Sequence, residues 1–535
     1  MPGPRDQVDQ GVQEKPLRLA TLPRRRLLAL GGAAVATALA PVAAAAPVSA
    51  APPRTDPFTL GVASGDPLPG GVVLWTRLAP EPFAPTGGLG FVSRPVRWQV
   101  AEDAGFTRVV RSGTATARAE YGHSVHVDVR GLRPGRVYWY RFRCGGHLSP
   151  VGRTRTAPAA DATVRSLRFA VTSCQSYTDG FFTAWRHLAA EDLDLVFFLG
   201  DYMYEGAVNS TGGDRADTGL RLPEIFQLAT DTLDLYRLRY ALYRTDPDLR
   251  AAHAAFPWVP TWDDHEVQDN YAAGVPRFDI SAEDFLVQRA NAYRAYWENQ
   301  PLRRPRQPAG AGMPLYRRLR FGDLATAHVL DTRQYRSDQA CGDGVKPDCP
   351  DRHDPARSLL GADQRGWLLD GMGRSGTRWN ILAQQIIMTE LLYSGRFDMD
   401  KWDGYPVDRQ AVLDTAARVP GTVVLTGDIH FNYAADLRAD FRQPGTPAVG
   451  VELIGTSISS AGDGSDTTPA LDRQRKDNPH VLFANAQRGY VRCELTPDAL
   501  RADYRVVPYV TRRGAPITTR ASFTSDRDRP GLAPA

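Results

Sequence analysis

The stretch Val196-Phe197-Phe198-Leu199-Gly200-Asp201-Tyr202-Met203-Tyr204-Glu205 constrains this chain more than any other. An unbroken apolar run of strand length suits a parallel strand buried on both faces. Its abrupt end in Gly-Asp puts a carboxylate at the strand's carboxyl end, where open α/β sheets carry their sites. Other strand-like runs end in the same way. Leu167 to Thr172 runs into Ser173-Cys174-Gln175, Trp258 to Trp262 into Asp263-Asp264-His265-Glu266, and Val423-Val424-Leu425 into Gly427-Asp428-Ile429-His430. Four strand ends in succession carry residues of metal-ligand type.

Helical patterns alternate with these runs, near Gly180 to Glu191, within Leu222 to Ala255, over Ser281 to Gln300 and over Gln364 to Gly373. A hairpin is expected over Leu315 to Leu330, and further strands over Trp379 to Ile387 and from Val451 towards Ser460. That order describes a layered α/β catalytic domain over residues 166–520. Residues 58–157 differ: short period-two runs separated by Gly and Pro argue an antiparallel β-sandwich, and Leu132 to Arg141 looks like the Pro-Gly turn and aromatic strand of a fibronectin III-like module. Asp66, before Pro67, reads as a turn residue. A polar linker follows from Pro158 to Arg165, and residues 521–535, rich in Pro, Asp and Ala, are expected to form a flexible tail.

At the N-terminus, Pro23-Arg24-Arg25-Arg26-Leu27-Leu28 opens a small-residue apolar run that ends in Val48-Ser49-Ala50. Residues 1–50 therefore read as a twin-arginine export signal, cleaved near Ala50, with the twin-arginine machinery as a transient partner and a secreted product. The run is rich in Ala and Gly, too weakly apolar for a good anchor, and no other stretch is long and apolar enough to span a bilayer. Composition excludes wholesale disorder, at 42% hydrophobic and 23% charged residues. The net charge of +4 comes largely from the first 50 residues, so the near-neutral body gives no reason to expect nucleic-acid binding. Nothing calls for a partner subunit, and a monomer is expected. Of the five cysteines, Cys341 and Cys349 bracket a polar turn and suit a small disulfide loop. Cys144 and Cys493 are either buried thiols or a long-range pair, and Cys174, directly after a core strand, is the odd one out.

A carboxylate bridging two cations, with further ligands from neighbouring strand ends, is how a dinuclear hydrolase is built: the cations polarise a phosphoryl oxygen, activate a bound water and stabilise the leaving oxygen. Asp201 is the natural bridge. Asp264, His265 and Asn270 can add a ligand and a proton donor. Asp428 and His430 project on one side if extended structure continues through them. Each residue alone has a plainer role, as a cap, a turn or a packed side chain, but together and in order they form a set.

That set, with Gly200-Asp201-Tyr202-Met203-Tyr204-Glu205, Asp263-Asp264-His265-Glu266-Val267 and Leu330-Asp331-Thr332-Arg333-Gln334-Tyr335-Arg336, resembles the PhoD-type alkaline phosphatases, a family that includes secreted phosphodiesterases and enzymes named phospholipase D. The resemblance runs from Gly61 to Ser460. It implies a metallophosphatase-like sandwich of two mixed sheets flanked by helices and fronted by the β module, and a site of ferric iron (Fe3+) and calcium (Ca2+). Carried over by position, Cys174 and Tyr204 hold iron, Asp201 bridges and acts in catalysis, and Asp428 and His430 serve calcium. Thiolate and phenolate suit ferric iron, and oxygen-rich positions suit calcium. Asp264 and Asn270 are further ligands, although Asp269 stands where the family usually shows Asn. His265 protonates a leaving alkoxide or touches the phosphate. Arg333 and Arg336 either bind the phosphate or form structural pairs. The expected activity is hydrolysis of phosphate monoesters and diesters. The alternatives are a phospholipase D acting on phospholipids, a dinuclear zinc or manganese hydrolase, and a catalytically silent surface-binding protein.

Overall fold

The computed structural model describes residues 53–215, 219, 221–443 and 445–535, so the expected export signal lies outside the described residues. Strand Leu195–Leu199 explains the layering. Leu195, Phe197 and Leu199 pack with Val423, Leu425, Val451 and Leu453 of a second sheet, while Val196 and Phe198 pack with Trp185, Tyr202 and Trp258 beneath the helices. Alternate residues point to opposite faces, and both faces are covered; each such side chain contributes roughly 1.5–3 kcal/mol on burial.

The first sheet has ten strands. From one edge they are 533–534, Thr518–Asp526, Ala499–Val507, Arg488–Leu495, Leu167–Thr172, Leu195–Leu199, Pro257–Thr261, Val62–Leu68, Gly71–Arg77 and Ser124–Arg130. The second has seven, in the order Arg317–Phe321, Ala325–Val329, Trp379–Ala383, Thr422–Thr426, Ala448–Ile454, Asn432–Arg438 and Val481–Asn485. This is the expected two-sheet sandwich. The expected hairpin is present as the antiparallel pair Arg317–Phe321 and Ala325–Val329. Helices Thr183–Ala189, Leu233–Arg244, Pro247–Ala255 and Ala282–Asn299 carry apolar side chains, among them Trp185, Tyr240, Leu249 and Tyr293, that cover the first sheet.

Three details depart from the sequence reading. The N-terminal β-sandwich exists, with a five-stranded sheet that includes Arg94–Ala101 and Val137–Cys144 packed over Val72, Leu74, Val125 and Val127. Its other face is not a separate sheet, because strand Val62–Leu68 pairs in parallel with Pro257–Thr261 at Ser64↔Pro257 and Gly65↔Trp258. The boundary near residue 158 is therefore crossed by hydrogen bonds that no local pattern announces. Asp66 is not a turn residue: it lies at an irregularity in that strand (φ 44°), buried, with its carboxylate 2.8 Å from Arg317. The expected tail is ordered for much of its length, since Thr518–Asp526 pairs with Ala499–Val507, Phe523 enters the core, and Leu532 N donates to Asp436 at 2.8 Å. Among the described residues no helix is long and apolar enough to cross a membrane.

Candidate metal centre

The parallel strands of both sheets end at one place. Past those ends the chain turns left-handed at Cys174 (φ 56°), Asp201 (54°), Asn270 (47°), Asp428 (67°) and His430 (60°). Such residues cost of order 1–3 kcal/mol each unless neighbours hold them, with Asn and Asp the most tolerant. Here they are held. Cys174 N donates to Gly200 O and Gln175 N to Asp201 O, both at 3.0 Å. The Glu266 carboxylate accepts from the backbone of Asp201 (3.0 Å), Tyr202 (2.6 Å) and Asp263 (2.8 Å), tying two strand ends together. The glycine of each Gly-Asp pair is a packing requirement: a Cβ on Gly200 would lie 2.4 Å from Asp263 Cβ, and one on Gly427 2.4 Å from Ser173 Oγ.

The ligand atoms of Cys174, Asp201 and His430 all lie within 4.8 Å of one another, as do those of Asp201, Asp264 and His265, and those of Asp263, Asp264 and Asp428. Asp201 belongs to two of these clusters and Asp264 to two, so the three form a chain. The Tyr204 hydroxyl joins the first, 3.1 Å from Asp201 Oδ2 and 3.1 Å from His430 Nε2, and accepts from Ser460 Oγ at 2.7 Å. His430 therefore does not stand with Asp428. The strand ends at Thr426, and both residues are left-handed, so the alternation expected of extended structure is lost and His430 turns to the Cys174 and Tyr204 side.

Burial pushes the Cys174 thiol well above its usual range, with the Asp201 charge adding to it. Burial likewise raises Asp201 and Tyr204, and neighbouring anions reinforce it in both. Burial also pushes the His430 imidazolium down to about 3, with Arg488 adding to it. For His265 burial works downwards but is outweighed by Glu205, Asp264 and Asp201, which hold the imidazolium well above the ordinary histidine range. His265 Nδ1 lies 2.8 Å from Glu205 Oε2, its ring is 4.2 Å from that of Tyr204, and its side chain is 22% exposed.

Arg333 and Arg336 are fully buried and engaged with the protein. Arg333 Nε lies 2.5 Å from Asp263 Oδ1 and its Nη1 2.8 Å from Asp400 Oδ1, while Arg336 Nη1 is 2.5 Å from the same Asp400 oxygen. These contacts fit the structural-pair alternative. Burial opposes ionisation of Asp264, yet Arg333 and His265 hold its carboxyl down at about 2.

The Cys341–Cys349 disulfide forms as expected, and Cys144, Cys174 and Cys493 are buried free thiols, which excludes the long-range pair. The bridged loop bears on the centre through Asp343, which accepts from Asn270 Nδ2 at 3.0 Å and pairs with Arg277 at 3.2 Å. The backbone N of Asn270 donates to Asp264 Oδ2 at 2.7 Å. Replacing both bridging cysteines with serine is expected to lower stability by about 2–3 kcal/mol, the scale for closing so short a loop. It is also expected to reduce kcat several-fold as Asp343 loosens from Asn270; urea midpoints and initial rates, with and without dithiothreitol, check both.

Sequence reasoning missed Lys401, whose Nζ lies 2.5 Å from Asp428 Oδ2 and 3.3 Å from Asp400 Oδ2. A signal was present: it is one of only four lysines in an arginine-rich chain, set among Asp398, Asp400 and Asp403. Glu205, Glu266 and Asp400 were also missed as supports of the centre.

The chain is similar to known proteins. A family profile described as PhoD-like phosphatase matches residues 169–504, and one described as PhoD-like phosphatase, N-terminal domain matches residues 42–158. The chain is 46% identical over 542 residues to alkaline phosphatase D of Bacillus subtilis (strain 168), covering 98% of this chain and 91% of that protein. It is similar to a solved structure of PhoD, at 48% identity and a TM-score of 0.86 over 90% of this chain and 92% of that one. A purple acid phosphatase from yellow lupin (Lupinus luteus) shares the fold at 10% identity and a TM-score of 0.51, over 87% of this chain and 74% of that one.

Proposed function

This chain belongs to the PhoD-like phosphatase family and is a phosphoric ester hydrolase, and we propose that it is an exported enzyme acting on phosphate monoesters and diesters at a centre of ferric iron and calcium. The carrying observation is the run of three ligand clusters linked through Asp201 and Asp264. The residues fit cations. Asp201 Oδ1 and Asp264 Oδ1 are buried without hydrogen-bond partners, and a thiol, a phenol and a carboxyl are each pushed towards protonation where they converge. Such a cluster is relieved by positive charge. Cys174, Tyr204 and Asp201, joined by His430, would hold the iron, and Asp264, Asn270 and Asp428 the calcium, with Asp201 between them. When bound, such ions supply Lewis-acid polarisation of the phosphoryl group and acidify water.

Asp201 orients the Tyr204 hydroxyl and spans the two sides. His265, oriented through Nδ1 by Glu205, is the proton donor to the leaving oxygen. Lys401 and His265 are the cations of the centre with exposed surface, and phosphate contact is assigned to them rather than to Arg333 and Arg336. Export rests on the twin-arginine pattern of residues 1–50 and suits a centre loaded before secretion.

Purified without an affinity metal, the protein is expected to contain iron and calcium and to hydrolyse both p-nitrophenyl phosphate and its bis-ester. Calcium chelation is expected to abolish both activities and added calcium to restore them. Zinc or manganese in place of iron overturns the metal assignment. A metal-free protein inert towards every phosphoester supports the silent binding protein instead.

A further inference from the structure

A cavity of about 280 Å³ lies between Phe431, the turn Leu392-Tyr393-Ser394 and the helix Pro469–Asp477. Two of its walls adjoin the metal centre. Phe431 follows His430 directly, and consecutive Cα atoms are about 3.8 Å apart. On the opposite wall, burial pushes the Tyr393 hydroxyl up, with Asp398 adding to this and Lys401 opposing it. Lys401 is the residue whose Nζ meets Asp428 at 2.5 Å, so the cavity borders the centre both at His430 and at Lys401.

The walls are held in place by the protein itself. Leu392 N donates to Asn478 Oδ1 at 2.8 Å, Asn478 Nδ2 donates back to Leu392 O at 3.0 Å, and Tyr393 N donates to Arg396 O at 2.9 Å. Phe431 and Tyr393 stand half-buried against the apolar cluster that contains Leu471. The polar groups of the floor are already engaged: Gln474 Oε1 accepts from Tyr433 Oη at 2.6 Å, its side chain is also a hydrogen-bond partner of the Tyr393 hydroxyl, and Thr468 Oγ1 accepts from Leu471 N at 3.2 Å. Ser394, Arg473 and Asp477 are exposed at the rim.

We infer that this cavity is the subsite for a planar aromatic group carried on an ester oxygen of the substrate, so that the enzyme favours aryl phosphoesters over those of sugars and polyols. An apolar floor between Phe431 and Tyr393 gains from burying a ring, whose face and edge suit aromatic walls. A sugar or glycerol group would set its hydroxyls against a floor whose polar atoms already have partners, and those hydroxyls would be left unsatisfied. The volume lies at the small end of the roughly 300–1,000 Å³ of ligand sites and admits one ring with its linkage. The inference rests on the phosphoesterase reading and names the substrate class of that site.

The test uses the full mature enzyme with its metals and two non-hydrolysable probes that share one charged head, phenylphosphonate and methylphosphonate. Calorimetry reads their binding, and phosphate release reads hydrolysis of glycerol 3-phosphate, which carries no ring. The wild type is expected to bind phenylphosphonate about tenfold more tightly than methylphosphonate, the scale of partly burying one ring. Ala470→Trp, at an exposed position lining the cavity, fills it, and is expected to remove that difference while methylphosphonate binding and glycerol 3-phosphate hydrolysis stay at wild-type levels. Phe431→Leu, which keeps the wall apolar but not aromatic, is expected to lose about threefold in phenylphosphonate binding alone. The inference falls if the wild type binds phenylphosphonate no more tightly than methylphosphonate, or if Ala470→Trp keeps the full difference. A wild type that releases no phosphate from either glycerol 3-phosphate or phenyl phosphate strikes the phosphoesterase reading instead, and the calorimetric comparison still decides the cavity.

Discussion

Cys174→Ala is expected to fold, to lose the visible absorption of the proposed ferric thiolate and phenolate centre, and to fall in kcat on the order of 10²- to 10³-fold, the scale of removing a main electrostatic element of an active site. Folding is expected to survive because neighbours fix the backbone there: Cys174 N donates to Gly200 O at 3.0 Å and Cys174 O accepts from Ile458 N at 3.0 Å. The side chain reaches only Ser173 Oγ (3.0 Å) and the cluster with Asp201 and His430. A variant with unchanged colour and rate would remove Cys174 from the centre. A variant that keeps iron but loses activity would limit its part to tuning.

Arg333→Met is expected to cost about 3–5 kcal/mol of stability, because removing one partner of a buried ion pair strands the other. Arg333 serves several carboxylates at once: Asp263 and Asp400 at hydrogen-bonding distance, with Asp264 at 3.5 Å and Asp428 at 3.8 Å from its second terminal nitrogen. The sign of the effect on Asp264 follows. Its carboxyl is held down at about 2, so it stabilises the fold at any pH above the ordinary carboxylate range and loses that contribution only as pH falls towards 2. Without Arg333 burial is left to raise that carboxyl, so the variant lacks this stabilisation at neutral pH, and its deficit against the wild type is expected to be largest near pH 7 and to shrink as pH falls towards the ordinary carboxylate range. Urea midpoints measured from pH 7 down to pH 4 read this directly. A side chain that only bound phosphate would leave those midpoints untouched and raise KM alone.

These two residues show how far the sequence could be read. The place of Cys174 beside Asp201 was legible through the resemblance carried by the strand-end motifs, since its position alone marked it only as the odd cysteine out. Arg333 was not, because an arginine near a catalytic segment serves a phosphate or a buried carboxylate equally well on paper, and the choice depends on Asp400, 67 residues away. The expected placement of His430 beside Asp428 is not met for a related reason. Its spacing from Asp428 implied a shared side only for extended backbone, and the left-handed turns at 428 and 430 undo that.

Read alone, the sequence determined the layered α/β order, the N-terminal β-sandwich, the disulfide and the strand ends that carry the candidate ligands, because runs of apolar residues, turn residues and short cysteine spacings act within a few positions of themselves. Tertiary structure decided what joins across distance: the pairing of Val62–Leu68 with Pro257–Thr261, the ordering of Thr518–Asp526, and the side on which His430 stands. It also decided the burial of Arg333 among Asp263, Asp264 and Asp400. Strand pairing and buried ion pairs satisfy groups from remote parts of the chain, and left-handed turns are held by those same remote contacts, so neither leaves a local pattern to read.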